Sequence, residues 1–286
     1  MVSAPLAPRV KKTVEETYQK VTQIEHIVKR PDTYIGSICA RTEALWVYDK
    51  EKEAMTCRTI TFVPGLYKIF DEILVNAADN KIRDPSMDTI KVTIDVANNT
   101  ISIYNNGQGI PVEVHKKENV YVPELIFGHL LTSSNYDDDE KKVTGGRNGY
   151  GAKLCNIFSS EFTVETNNRQ SGKAFTQTFS KNMSQMSQPK LTAASKKEDF
   201  TRITFKPDLG KFGMTTIDND TEALLIKRVY DLAGSVKDVK VFLNGERIKV
   251  KNFKQYCELY FMTDVADGEA RPTLVYENVN DRWEVG

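Results

Sequence analysis

Glu72 and Asn76 stand four residues apart in the stretch Phe70–Lys81, reading FDEILVNAADNK. On a helix that spacing is one turn, so both side chains share a face. A carboxylate there can orient and deprotonate a water. A carboxamide oxygen can contribute one ligand to magnesium, which prefers oxygen and keeps several waters. Three later stretches carry complementary chemistry. Asn105 precedes Asn106-Gly107-Gln108-Gly109, and a carboxamide can accept from an adenine amino group while donating to a ring nitrogen. Ser133, Ser134 and Asn135 offer hydroxyls and an amide to a ribose or phosphate. Gly145 to Lys153, GGRNGYGAK, is a glycine-rich run that opens a helix, the composition that surrounds a phosphate with backbone N–H groups and the positive end of a helix dipole. Taken singly, each piece has a structural explanation: a solvated helix face, a turn asparagine, a helix stop, an exposed lysine. The ordered set, E-x-x-x-N on a helix, then strand–N-N-G-x-G-I, then S-S-N, then G-G-R-N-G-Y-G-A-K, reads as a nucleotide site. It is not a Walker A loop, because no Ser or Thr follows Lys153, and it is not a dinucleotide fingerprint, which needs a βαβ unit.

The elements that must position these groups are legible from period and punctuation. Leu66, Ile69, Phe70, Ile73, Leu74 and Ala77 recur at helical spacing between Pro64-Gly65 and Asp84-Pro85, predicting a central helix. Glu72, Asn76, Asp79, Asn80 and Arg83 fall on a neighbouring strip of it. A short helix holding Val21, Ile24, Ile27 and Val28 precedes a loop at Arg30–Ser37, where Tyr34 is either a packed ring or a contact to a ligand or partner. Ile90, Val92, Ile94 and Val96 alternate, as do Ile101 and Ile103, giving a hairpin with one buried face. A short helix is expected over 122–131, a solvated charged loop over 136–142, and a helix from the glycine-rich run through Phe158. Strands are expected at 161–166, 173–179 and 201–205, with a loop over 184–197 and a helix over 222–232. Asn244-Gly245 is a hairpin turn between 239–243 and 247–250. These elements imply an α+β fold, a mixed sheet with helices on one face and the site between sheet-edge loops and the central helix.

Lys+Arg and Asp+Glu number 39 each, so the net charge is zero. That argues against this segment being the main grip on nucleic acid. The four cysteines are scattered without a C-x-x-C pair, the three histidines form no zinc pattern with them, and no apolar run approaches membrane-spanning length.

The ordered motif set resembles the ATPase superfamily shared by gyrase, the heat-shock chaperones, sensor histidine kinases and mismatch-repair ATPases. Arg30–Ser37, Phe70–Pro85, Leu130–Phe158 and Lys206–Leu209 resemble more closely the N-terminal ATPase region of eukaryotic type II DNA topoisomerases. The likeness implies the GHKL, or Bergerat, α+β sandwich, ATP and Mg2+ as cofactors, Glu72 as general base and Asn76 as magnesium ligand. Asn105 stands where most of the superfamily has an adenine-reading Asp. Ser133, Ser134 and Asn135 resemble a lid edge, and Gly146, Arg147, Asn148, Gly149, Tyr150, Gly151, Ala152 and Lys153 a phosphate loop. The resemblance further implies a flexible arm over 1–17 that reaches a second subunit, an ATPase domain over 18–249 and the start of a transducer domain over 250–286. The transducer Gln and Lys that touch the γ-phosphate are expected beyond Gly286, so weak ATPase and no DNA cleavage are expected of this segment alone. A homodimeric gate closed by ATP, DNA as partner of the whole protein, no membrane, and a nuclear location also follow from the resemblance. The alternatives are a non-catalytic ATP-gated clamp, disfavoured by Glu72, and a phosphotransferase of the sensor-kinase kind, for which no phosphoacceptor His helix is apparent.

Overall fold

Where a strand of this chain carries apolar residues at every second position it offers one face to a core, and the helices that cover that face must be apolar along a stripe. A computed structural model, which describes residues 13, 20–130, 149–261, 272–280 and 283–286, shows how they combine. The first half contains α1 (Gln23–Lys29), β1 (Arg41–Asp49), β2 (Ala54–Phe62), α2 (Pro64–Arg83), β3 (Thr89–Asp95), β4 (Thr100–Asn106) and α3 (Val122–Gly128). Then come α4 (Gly151–Ile157), β5 (Ser159–Asn168), β6 (Lys173–Ser180), β7 (Gln185–Met186), β8 (Lys190–Ala193) and β9 (Phe200–Pro207). The remainder holds α5 (Asn219–Ser235), β10 (Lys240–Leu243), β11 (Glu246–Arg247), α6 (Phe253–Glu258), β12 (Glu277–Asn280) and β13 (Trp283–Val285).

The main sheet runs β11-β10-β3-β4-β9-β5-β6-β7, with β8 also on β6. All its pairs are antiparallel except β10 with β3, so the expected mixed sheet is present. Ile90, Val92, Ile101, Ile103, Val164, Phe162, Phe175, Phe179, Ile203 and Phe205 form its buried face. The opposite face is polar: Ser102 and Thr204 share a hydroxyl bond of 3.0 Å, and Thr163 and Thr178 one of 2.9 Å. Leu66, Ile69, Phe70, Ile73, Leu74 and Ala77 of α2 are all buried, which is the stripe the sequence predicts. The Asp71 carboxylate, on another side of α2, accepts from Arg228 Nε of α5 at 2.7 Å.

Three regions differ from expectation, the smallest being the strand expected over 247–250, which pairs only at Glu246–Arg247. Residues 184–197, expected as a loop, contain β7 and β8 on the outer edge of β6. Their residues are all exposed, so the pairing is made by backbone alone and no apolar alternation marks it. The β1–β2 hairpin, nine residue pairs long, has a β1 that is exposed or half-exposed everywhere but Val47 and carries no readable period. It packs on α5 through a small second core of Val47, Ile60 and Leu224. Asn244 and Gly245 make the expected turn, both with positive φ (49° and 88°). Residues 253–260 pack back on the preceding elements: Tyr256 donates to Asp231 Oδ1 at 2.7 Å, and Met55 N donates to the Leu259 carbonyl at 2.9 Å. The arm expected over 1–17, apart from Thr13, lies outside the described residues, and so does the charged loop over 136–142. Among the described residues no helix is long and apolar enough to cross a membrane.

Candidate functional site

Helix α2 places Lys68, Glu72, Asn76 and Asn80 at successive turns of one strip, and all four line a cavity of about 730 Å³. The run Gly149–Leu154 lines the same cavity, as do Ile103, Asn105 and Ile203 of the sheet. Ile110, Ile126 and Ala77 complete an apolar slot beside Asn105. Such an apolar lining suits a flat ring, and the polar groups of α2 are spread along the helix, from Asn80 beside the Asn105 loop to Glu72 beside Gly151. Tyr34 stands at the rim with its ring centroid 6.2 Å from that of Tyr150.

Glu72 is bounded at both oxygens, by an ion pair at one and by close backbone at the other. Oε1 pairs with Lys68 Nζ at 2.5 Å. Oε2 lies against the start of α4, where a Cβ built on Gly151 would fall 1.9 Å from Oε2 and 2.8 Å from Cδ. Only glycine lets the α4 backbone approach the carboxylate this closely. The α4 residues Ala152, Leu154, Cys155 and Ile157 are buried, which fixes this helix beneath the cavity wall. Lys153, four residues into the run Tyr150–Lys153, is 3 % exposed and donates to the Gly149 carbonyl. Burial pushes its ammonium down to about 8.

Asn105 is buried at the end of β4, and its Nδ2 donates to the Asn106 carbonyl at 2.9 Å. The loop behind it is bound on both sides. Asn80 Nδ2 reaches the Asn106 carbonyl at 3.3 Å, and Gln108 N donates to Asp84 Oδ2 at 2.6 Å. On the far side Ile110 N donates to Thr166 Oγ1 at 3.0 Å and Asn168 Nδ2 to the Gly109 carbonyl at 2.7 Å. Gly107 has φ +88°, and a Cβ there would meet Met87 Cβ at 2.8 Å. The Ser86 hydroxyl, with the Gln108 and Ser86 amides, holds the Asp84 carboxyl below its ordinary value. So Asp84-Pro85, which ends α2, also anchors the loop that carries Asn105.

Glu72, Asn76, Asn105, Gly149, Tyr150, Gly151, Ala152 and Lys153 therefore line one cavity. Ser133, Ser134, Asn135, Gly146, Arg147 and Asn148 lie outside the described residues. Sequence reasoning missed Lys68 and Thr201. Lys68 was visible as the residue one turn before Glu72. Thr201 reaches the cavity only through the β4–β9 register that sets it opposite Asn105. Among the described residues no group of three His, Cys, Asp or Glu side chains is placed to hold a metal alone.

The profile of the family described as histidine kinase-, DNA gyrase B-, and HSP90-like ATPase matches residues 63–211. The chain is 62% identical over 273 residues to DNA topoisomerase 2-alpha of Gallus gallus, covering 96% of this chain and 18% of that protein. It is 56% identical over 285 residues to DNA topoisomerase 2 of Candida glabrata, covering 96% and 20%. The crystal structure of the ATPase region of Saccharomyces cerevisiae topoisomerase II superposes with a TM-score of 0.91 at 56% identity, over 95% of this chain and 70% of that one. The chain thus spans about a fifth of the length of the curated relatives it matches.

Proposed function

Because the chain belongs to the histidine kinase-, DNA gyrase B- and HSP90-like ATPase family, and within it to the ATPase regions of type II DNA topoisomerases, we propose that it hydrolyses ATP in the α2–α4 cavity with Glu72 as general base. The observation that carries this reading is that Glu72 and Asn76, one turn apart on α2, and the Gly149–Lys153 run line a single cavity, with the Glu72 carboxylate beside Gly151.

The apolar slot takes the adenine, with Asn105 at its edge, and the α4 end takes the triphosphate. Lys153 and the first amides of α4, which lack partners inside the helix, supply donors to phosphate oxygens. Glu72 accepts a proton from a water as that water's oxygen bonds to the γ-phosphorus. The bond from the γ-phosphorus to the β,γ-bridging oxygen breaks, and ADP leaves with that oxygen. The donor set also fits magnesium. Asn76 offers a single amide oxygen in the cavity lining, no group of three His, Cys, Asp or Glu side chains surrounds it among the described residues, and magnesium bound to a nucleotide takes few protein ligands and keeps waters. Held by Asn76, a bound magnesium would supply positive charge to offset that developing on the phosphate oxygens.

For the whole protein we infer the topoisomerase cycle: two such regions close as a homodimeric gate on loading with ATP, one DNA duplex passes through another, and hydrolysis resets the gate. The arm over 1–17 reaching a second subunit, a domain division near residue 249 and a nuclear location belong to the same reading. The roles of Ser133, Ser134 and Asn135 as a lid edge, and of Gly146, Arg147 and Asn148 in the phosphate loop, belong to it as well.

Glu72→Gln is the test. It keeps size and hydrogen bonding but removes the base, so a non-hydrolysable ATP analogue binds as before. ATP turnover falls by about 10²-fold or more. Turnover that survives the substitution removes Glu72 from the base role.

A further inference from the structure

We propose that Lys68 is a positioning residue for hydrolysis: its ammonium fixes the Glu72 carboxylate in the orientation that receives the proton from water. The proposal rests on the reading of Glu72 as base. Lys68 lies one turn before Glu72, lines the same cavity, and contacts Oε1 at 2.5 Å.

Helix stability does not account for the pair. The Lys68 side chain is 45% exposed and that of Glu72 21%, and ion pairs so placed contribute at most about 1 kcal/mol. The order, Lys before Glu, is also the weaker one for a pair at this spacing. Its geometric effect is larger. A glutamate side chain has three rotatable bonds, and a base must stand within hydrogen-bond reach of its proton. With Lys68 on Oε1 and the Gly151 backbone against Oε2, the carboxylate is gripped from two elements. A carboxylate has about four lone-pair sites, so Lys68 leaves others open toward the cavity. The neighbouring carboxylate does not compete for Lys68, because Asp71 is engaged by Arg228. When Glu72 takes the proton from water, Lys68 keeps its own charge and remains a donor to the resulting acid.

The experiment compares Lys68→Met and Lys68→Arg in the otherwise intact chain and in the Glu72→Gln background, reading kcat, KM and the affinity for a non-hydrolysable ATP analogue. Thermal melts confirm that each variant is folded. Lys68→Met is expected to lower kcat by about 10- to 100-fold, with analogue affinity within about threefold of the parent. Lys68→Arg, which keeps a donor at Oε1, recovers most of the lost rate, and Lys68→Met adds no further loss to Glu72→Gln. An unchanged kcat in Lys68→Met overturns the proposal. So does a loss of analogue affinity of about tenfold or more in both backgrounds, which makes Lys68 a phosphate contact instead. Failure of the base reading looks different: Glu72→Gln by itself then turns over ATP.

Discussion

Gly151→Ala separates catalytic geometry from folding more sharply than any substitution of a charged group. The added Cβ would sit 1.9 Å from Glu72 Oε2, 2.8 Å from Cδ and 3.3 Å from Glu72 Cβ. Carbon and oxygen need roughly 3.3 Å or more, so the carboxylate must retreat by about 1.4 Å. The obstruction reaches from the carboxylate back to Cβ, so a rotation of the terminal bond alone does not relieve it. The retreat also draws Oε1 away from Lys68, loosening the other grip. A misplacement of about 1 Å in a reacting group costs about 100-fold in rate, so kcat should fall by that order. Stability should move little or in the other direction. Glu72 can yield into the open cavity, and at Gly151, the first residue of α4, alanine gains only part of the roughly 1 kcal/mol it has over glycine in a helix interior. Steady-state ATP turnover, an analogue titration and a thermal melt on the same preparation make the test. The expected pattern is a chain at least as stable as its parent, still able to bind the analogue, and nearly inactive. If kcat stays within about threefold, the carboxylate does not lie against Gly151 during hydrolysis, and the two-sided grip on Glu72 is wrong.

Lys153 gives a pH signature. Its free-residue value of 10.5 is lowered to about 8 by burial, so above pH 8 the folded chain sheds a proton that the unfolded chain still holds. Stability from this group therefore rises with pH between 8 and about 10.5 and is flat below 8. Nucleotide binding runs the opposite way, since a polyphosphate favours the charged ammonium: analogue affinity should fall by up to about tenfold per pH unit above 8. Calorimetric titrations across that range should show proton uptake on binding, and Lys153→Met should flatten the profile. Gly107→Ala tests the loop that holds Asn105. A side chain at φ +88° that also strikes Met87 and Asp84 should cost about 2–4 kcal/mol, seen as a melting temperature lower by roughly 5–15 °C. A melting temperature within a degree of the parent would show that this loop is not seated against the end of α2.

The central helix was legible because its two messages share one period. The stripe from Leu66 to Ala77 and the strip from Glu72 to Asn80 are both spaced by helical turns, so finding either one orients the other. Lys68 belongs to the same strip and was passed over, because a Lys–Glu pair at this spacing is ordinary on any exposed helix. Lys153 shows a different gap. Its immediate surroundings, Ala152, Leu154, Cys155, Asn156 and Ile157, are all buried, and a helix that is apolar nearly all round has no solvent side on which to place a lysine. That pattern was present in the sequence and argues for a buried ammonium, yet burial on every side appears only once α2, α3 and the sheet are seen to enclose α4.

Register is what the chain alone withholds. Asn105, Thr201 and Thr166 come from three distant segments, and they lie in one row only because β4, β9 and β5 pair as Asn105↔Thr201 and Thr166↔Thr201. A slip of one residue in β9 would turn Thr201 to the opposite face and bring a neighbour, Phe200 or Arg202, into the cavity floor. Nothing local to Thr201 forbids the slip. It is forbidden by Ile203 and Phe205, which would lose the buried face together. The apolar core thus sets which polar residues meet at the site. In the β1–β2 hairpin Val47, Ala54, Met55 and Ile60 are buried without a regular alternation along either strand, so the same logic has little to act on, and that element carries no legible period.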